Sequence, residues 1–299
     1  MTLKRKLLGS ATGTALLVLL IFSAFGQSQA STTPPNLITT TLTPTAYIYL
    51  PCVIKAYACP ITSTNQYESE VAYQYDTDNP VRPAYAHADK NLELRGYTPN
   101  TDPGLKHGLV DYGSDDSTQP PQFAALFKPH RLPALVGFYR VYHWTWADSP
   151  APGSRGNPIT TYPVTALGLQ TTPGEVLHTP TSGYDIGGGM EVIVLFADED
   201  TITLRYTCED SSAPNGYTVH IDNICTDPNL LALYNQLDDP SGPRYVYAPP
   251  EERPYSYNLP ALYDGQPLGT ASSTEIVVAI TDTGSFMDPR SRDEWWQIR

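Results

Sequence analysis

Residues 275–287, "EIVVAITDTGSFM", decide how the rest of the chain is read. The first six are mostly β-branched and suit a pleated, half-buried strand, and Asp282, Thr283 and Gly284 then supply a hairpin connection before "SFM". Three more short runs of the same kind lie upstream, "EVIVLFA" (191–197), "TITLRYT" (201–207) and "GYTVHI" (216–221), each bounded by turn residues. One helix interrupts them. In "DPNLLALYNQL" (227–237) Asp227 is an N-cap, Pro228 suits the first helical position, and Leu230, Leu233, Tyr234 and Leu237 recur at helical spacing. The region after residue 160 is therefore a β domain carrying one helix.

Ahead of it, residues 60–150 are rich in turns, with "DNP", "TDPG" and "TQPPQ" interrupting every candidate helix. The strongest element there is "LVGFYRVYHWTW" (135–146). It places Phe138, Arg140, Tyr142, Trp144 and Trp146 on one face of a strand and Tyr139, Val141 and His143 on the other. Such an aromatic ladder can stack on sugar rings, but aromatic strands usually pack into a core, and core is the expectation here. The loop-rich "ADSPAPGSRGNP" (147–158) marks a domain boundary, giving a loop-rich β region over 60–152 and a β domain over 160–299.

Residues 1–30 carry Lys4, Arg5 and Lys6, an apolar run over 15–25, and small Ser28 and Ala30, the layout of a cleaved export signal. The apolar run is shorter than the roughly 20 residues a bilayer span needs, and no later segment is long enough, so the mature chain has no membrane span. Residues 31–59 open as "STTPPNLITTTLTPTA", an extended Ser/Thr/Pro tether. The chain's formal charge is −13, and loss of the leader removes three bases and no acid, leaving −16. That balance excludes nucleic acid held by phosphate neutralisation. Cys52, Cys59, Cys208 and Cys225 are disulfide candidates in an exported chain, with three connectivities open. A Cys208–Cys225 bond would close a loop of about 17 residues and stabilise the fold by about 3 kcal/mol.

The order of "ALGLQTTPGEVLHTPTSG" (166–183), the strands "EVIVLFA" and "TITLRYT", "LYDGQPLG" (262–269) and "VVAITDTGSFMDP" (277–289) resembles the core of the lysostaphin-type zinc endopeptidases, which cut peptide cross-bridges of bacterial walls. The resemblance covers residues 164–289 with an insertion around 209–257. It implies a mostly β fold, a duplicated hybrid motif of antiparallel strands with an inserted helix. In that family a zinc ion held by two histidines and an aspartate activates water. The matching positions here are Ala166, Gln170, Glu275, Val277 and either Thr207 or Cys208, so no metal site and no cofactor are expected. Gly183 and Gly265 are placed at turns needing positive φ, and Gly269 where a Cβ would obstruct a crossing strand.

Other chemistries are weaker. His87, His107, His130, His143, His178 and His220 show no metal-binding spacing, and only His178 and His220 are candidates for meeting in space. "TSGYDIGGG" is neither a nucleophile elbow nor a phosphate loop. Asp185, Glu191, Asp198 and Asp222 border strands and are expected as solvated edge charges. "HADKNLELRGY" (87–97) is expected as a capped, salt-bridged surface turn. The tail "DPRSRDEWWQIR" (288–299) either binds a partner or clamps the chain end. No catalytic residue is assigned. The expectation is a secreted or cell-surface, non-catalytic binding or structural protein. Its expected partners are peptidoglycan or an extracellular polysaccharide, with Tyr206, Tyr217, Tyr263 and Trp295 as contacts. Its rivals are an active wall hydrolase, metallopeptidase or carboxylate-based glycosidase, and a surface-display or adhesion protein.

Overall fold

A computed structural model describes residues 57–72, 76, 82–112, 120–148, 151–206, 216–246 and 256–297. The expected leader, most of the expected tether, Cys52 and Cys208 lie outside the described residues. The strands are β1 (Glu68–Val71), β2 (Tyr97–Pro99), β3 (Leu135–Thr145), β4 (Ser154–Pro158), β5 (Ala166–Gln170), β6 (Val176–His178) and β7 (Met190–Ala197), followed by β8 (Thr201–Tyr206), β9 (Tyr217–Asp222), β10 (Ile224–Thr226), β11 (Asn258–Tyr263), β12 (Pro267–Ala271), β13 (Glu275–Asp282) and β14 (Ser285–Phe286). The helices are α1 (Leu92–Arg95), α2 (Pro228–Leu237) and α3 (Arg292–Trp295). The fold is mostly β and antiparallel, as the strand runs indicated.

Eleven strands form one sheet among the described residues, in the spatial order β1-β11-β7-β8-β9-β13-β5-β3-β2, with β14 against β13 and β4 against β3. A smaller sheet, β10-β12-β6, lies apart from it. The boundary expected near residues 152–160 falls inside the large sheet. β3 pairs with β5 (Tyr139 opposite Ala166) and β1 pairs with β11, so residues before and after it complete one another's hydrogen-bond ladders. Residues 54–299 accordingly cluster as one compact unit.

Alternation along the strands gives the large sheet two unlike faces. Leu167, Leu169, Ile276, Val278, Ile280, Val219, Ile221, Ile202 and Leu204 make one, a core also filled by Leu177 and Leu268 of the small sheet, by Leu230 and Tyr234 of α2, and by Trp295 and Trp296. The tail is therefore a clamp. The Trp295 and Trp296 indoles donate to the carbonyls of Asp288 (3.0 Å) and Pro289 (2.8 Å). The opposite face is polar in its middle, with Asp222, His220, Thr201 and Thr203, and it is covered by residues 87–97 of the same chain.

That covering segment overturns the expectation of a surface turn. Asn91 does cap α1, its side chain accepting from the Leu94 N–H at 2.9 Å, and Arg95 pairs with Asp89. Yet His87, Lys90, Asn91, Leu92 and Arg95 are buried. The charge on Lys90 meets Asp76, which also receives the Arg244 Nε (2.7 Å) and the Tyr257 hydroxyl (3.0 Å). Arg244 donates further to Asp238 and to the Leu195 carbonyl at 2.6 Å. Burial alone would raise the Asp76 carboxyl, but Arg244 and Lys90 together hold it well below the usual carboxylate range.

Several local expectations are met. Asp227 caps α2 by accepting from the Asn229 N–H at 2.9 Å, with Pro228 at the first position. Thr283 (φ 48°) and Gly284 (φ 80°) form the β13–β14 turn. A Cβ on Gly269 would collide with the Cys225 carbonyl, and Gly265 has φ 58°, whereas Gly183 does not take positive φ. The disulfide is a correction to the short-loop pairing: Cys225 is bonded to Cys59, 166 residues away. Closing so long a loop is worth about 5 kcal/mol in the chain-entropy model.

Arg244→Met removes the cation shared by the buried Asp76 and the half-buried Asp238 while leaving both acids in place. It is expected to lower unfolding free energy by about 3–5 kcal/mol, measured as a shift of the urea midpoint.

Candidate functional site

Of the positions that the endopeptidase resemblance assigns to zinc ligands, Ala166, Gln170, Glu275 and Val277 lie on the paired strands β5 and β13, and Thr207 and Cys208 lie outside the described residues. Cross-strand pairing sets Glu275 opposite Gln170, and a row Gly137, Gly168, Val277, Asp222 and Thr201 runs across five strands. Ala166 and Val277 are buried and join a small apolar cluster with Leu92, Val141, Ile159, Ala279 and Phe286. Gln170 is exposed at the end of β5.

The polar groups that remain are matched to one another. Glu275 Oε1 accepts the Tyr139 hydroxyl at 2.8 Å and lies over Gly137 and Gly168, where any Cβ would strike it. Asp222 accepts from the Tyr97 hydroxyl (2.8 Å), the Thr201 hydroxyl (2.9 Å) and the Asn223 N–H (2.9 Å). The two phenol rings meet edge to face with centroids 5.0 Å apart. Burial and then the Glu275 hydrogen bond push the Tyr139 phenol up to about 12. Burial and then Asp222 drive Tyr97 higher still. Both phenols are thus standing donors at neutral pH, and each carboxylate is oriented by one of them. This arrangement fixes two acids on the sheet without a cation.

Among the described residues no histidine belongs to a cluster of three ligand-type side chains. His220 lies under the covering segment, with Nδ1 3.1 Å from the Thr203 hydroxyl and its ring stacked on Phe286, while Nε2 has no partner among the described residues. The Thr203 hydroxyl in turn donates to the Lys90 carbonyl at 2.5 Å. His178 sits in the small sheet beside the Leu126 carbonyl, Lys128 and His130, so the two do not meet. His87 is buried against Trp146, and neither ring nitrogen has a partner among the described residues. Burial, then Lys90, lowers His87 to about 3. Burial, then Arg95, does the same to His220.

Among the described residues one group of carboxylates, Glu93, Asp198 and Asp200, has ligand atoms within 4.8 Å of one another. It lies between α1, which carries Glu93, and the β7–β8 turn, and does not coincide with the matched ligand positions. Asp198 is committed to its own turn, accepting the Asp200 and Thr201 N–H groups at 3.2 and 2.7 Å, and burial raises it to about 6. Two other acids expected as solvated edge charges are buried, Asp222 as described and Glu191. Glu191 Oε1 accepts the Ser182 N–H at 2.7 Å and burial raises the carboxyl to about 8. Asp185 is exposed, as expected.

Of the expected aromatic contacts, Tyr206 and Trp295 are core residues, 0% and 1% exposed. Their polar handles are satisfied internally, Tyr206 donating to the Pro180 carbonyl at 2.8 Å, so their ring area is buried at no hydrogen-bond cost. Tyr217 is half-buried between Tyr184 and Trp295, and Tyr263 is half-buried with its hydroxyl on Glu68 at 3.1 Å. The β3 ladder is not core either. Phe138, Arg140, Tyr142 and Trp144 are half-buried and Trp146 is 41% exposed. No family model, curated protein or solved structure matches the chain.

Below pH about 6.5 an unfolded chain protonates both His87 and His220 whereas the folded one does not until about pH 3, so the unfolded state binds more protons over that window. Each histidine should therefore remove about 1.4 kcal/mol of stability per pH unit as pH falls. Glu191 and Asp198, raised by burial, act in the opposite sense over the same window in both proteins, so a His87→Phe, His220→Leu double variant is expected to gain stability relative to the parent as pH falls from 7 to 4, read as the difference of their urea midpoints.

Proposed function

We propose that this chain is a secreted, non-catalytic binding or structural protein of the cell envelope that recognises cell-wall peptide or glycan. The observation supporting it is the occupancy of the covered sheet face. At positions where the resembled endopeptidases carry metal donors the chain has Ala166, Gln170 and Val277, with Glu275 tied to the Tyr139 phenol and Leu92 of α1 packed in one apolar cluster with Ala166 and Val277. Carbon cannot coordinate zinc, and a glutamine amide is a feeble ligand for it.

The same covering favours a second reading, surface display or adhesion. An extended wall peptide cannot lie where residues 87–97 already lie, so the groove that the resemblance implied is filled by the chain itself. Recognition of wall material, in the leading reading, uses other surfaces.

Metal analysis of the purified mature chain, paired with sedimentation on insoluble peptidoglycan, tests these readings. The expected result is no stoichiometric zinc, no chelator-sensitive cleavage, and protein in the pellet. Stoichiometric zinc with chelator-sensitive cleavage would restore the hydrolase. A supernatant holding all the protein would leave display.

A further inference from the structure

The geometry points to a saccharide-binding groove between the N-terminal segment 63–67 and one face of α2, taking a single uncharged pyranose unit of a longer glycan. It rests on the binding reading proposed above and gives that reading a place. The groove is open, about 250 Å³, and is lined by Asn65, Gln66, Tyr67, Asn229, Leu233 and Gln236, with Ala232 between the last three. That volume is below the roughly 300–1,000 Å³ of drug-sized ligand sites, which suits one ring. No charged side chain lines it, on a chain whose formal charge is −13, so an anionic polymer gains nothing there.

Its walls are built and held. Asp227 is a buried hub accepting the Ser63 hydroxyl (2.6 Å), the Asn65 Nδ2 (2.7 Å) and the Asn229 N–H (2.9 Å). Asn229 Nδ2 donates to the Ser63 and Asn65 carbonyls at 3.1 and 2.9 Å. The Cys59–Cys225 bond joins the same two walls a few residues away. Because both asparagine nitrogens are anchored, the Oδ1 atoms of Asn65 and Asn229 are fixed acceptors, and neither receives a hydrogen bond among the described residues. The exposed side chains of Gln66 and Gln236 likewise make no hydrogen bond among the described residues and provide adaptable donors and acceptors.

Leu233, Ala232 and the ring of Tyr67 add an apolar strip. A sugar has this same two-sidedness, a C–H face and an edge of hydroxyls, with no charge. A peptide strand is the competing occupant, and it is disfavoured because segment 63–67 has little backbone edge to offer. The carbonyls of Ser63, Asn65 and Gln66 are already accepting, and the Asn65 N–H donates to the Ser63 hydroxyl.

The test is titration of the mature chain with chitotetraose, with cellotetraose, and with an end-blocked oligoglycine, followed by amide NMR shifts. At least one saccharide is expected to bind in the millimolar range or tighter, with shifts centred on Asn65, Asn229 and Gln236. A Gln66→Ala, Gln236→Ala double variant, which removes only exposed side chains, should weaken it about fivefold to tenfold at unchanged melting temperature. Absence of saccharide shifts at these residues, affinity indifferent to the double variant, or shifts with oligoglycine alone would each overturn the assignment. Failure of the two proposals is separable. If the double variant still sediments with peptidoglycan and saccharides do not titrate, the groove falls and the envelope role stands. If saccharides titrate while the chain stays in the supernatant, the reverse holds.

Discussion

Asp76, buried with Lys90 and Arg244, is the interaction on which the rest of the described structure depends. It draws together the stretch that follows β1, the approach to α1 and the segment that follows α2, and through Arg244 it reaches the Leu195 carbonyl of β7. A buried acid between two bases is not a source of large net stability, because removing the three charges from water offsets most of their attraction. What it supplies is uniqueness. Placing the covering segment elsewhere would take Lys90 away and leave the buried Asp76 carboxylate with Arg244 as its one cation among the described residues.

From that constraint follows the character of the covered sheet face. A face roofed by a polar, charged segment need not be apolar, and here it carries a histidine, threonines and two acids, hydrogen-bonded partly to one another within the sheet and partly across the seam. Tyr97 from the segment reaches Asp222, and Thr203 reaches back to the Lys90 carbonyl. The large sheet is thus sandwiched between two different kinds of interior, a hydrocarbon one beneath and a hydrogen-bonded one above.

Local chemistry was legible in the sequence, and long-range pairing was not. The four strand runs, the Asp227 cap with Pro228, and the Thr283–Gly284 turn depend on side-chain alternation or on backbone preferences within a few residues, and all appear as expected. "HADKNLELRGY" looked like surface because four of its residues are charged. Its burial depends on Asp76 before it and on Arg244 far after it, which no local pattern signals. The cysteines misled in the same way, since proximity along the chain favoured Cys208 as a partner and the folded chain brings Cys59 to Cys225. Tyr206 and Trp295 were attractive as contacts because their rings stack well on ligands, the property that also suits them to a core. The acids of the site, Asp222 and Glu275, were visible, but not the tyrosines that orient them. Tyr97 and Tyr139 reach those acids only through the pairing of β2 with β3 and of β3 with β5.

The Cys59–Cys225 bond also determines how the folded body would respond to mechanical load. Tension applied to the chain ahead of residue 59 passes through sulfur into β10, in the small sheet, and not along the backbone into β1. β1 pairs with the edge of the large sheet through only four residues and would unzip one hydrogen bond at a time if pulled from its end. With the sulfur bridge intact that strand carries no force, and the body is gripped at a strand whose neighbour, β12, is itself paired on both sides.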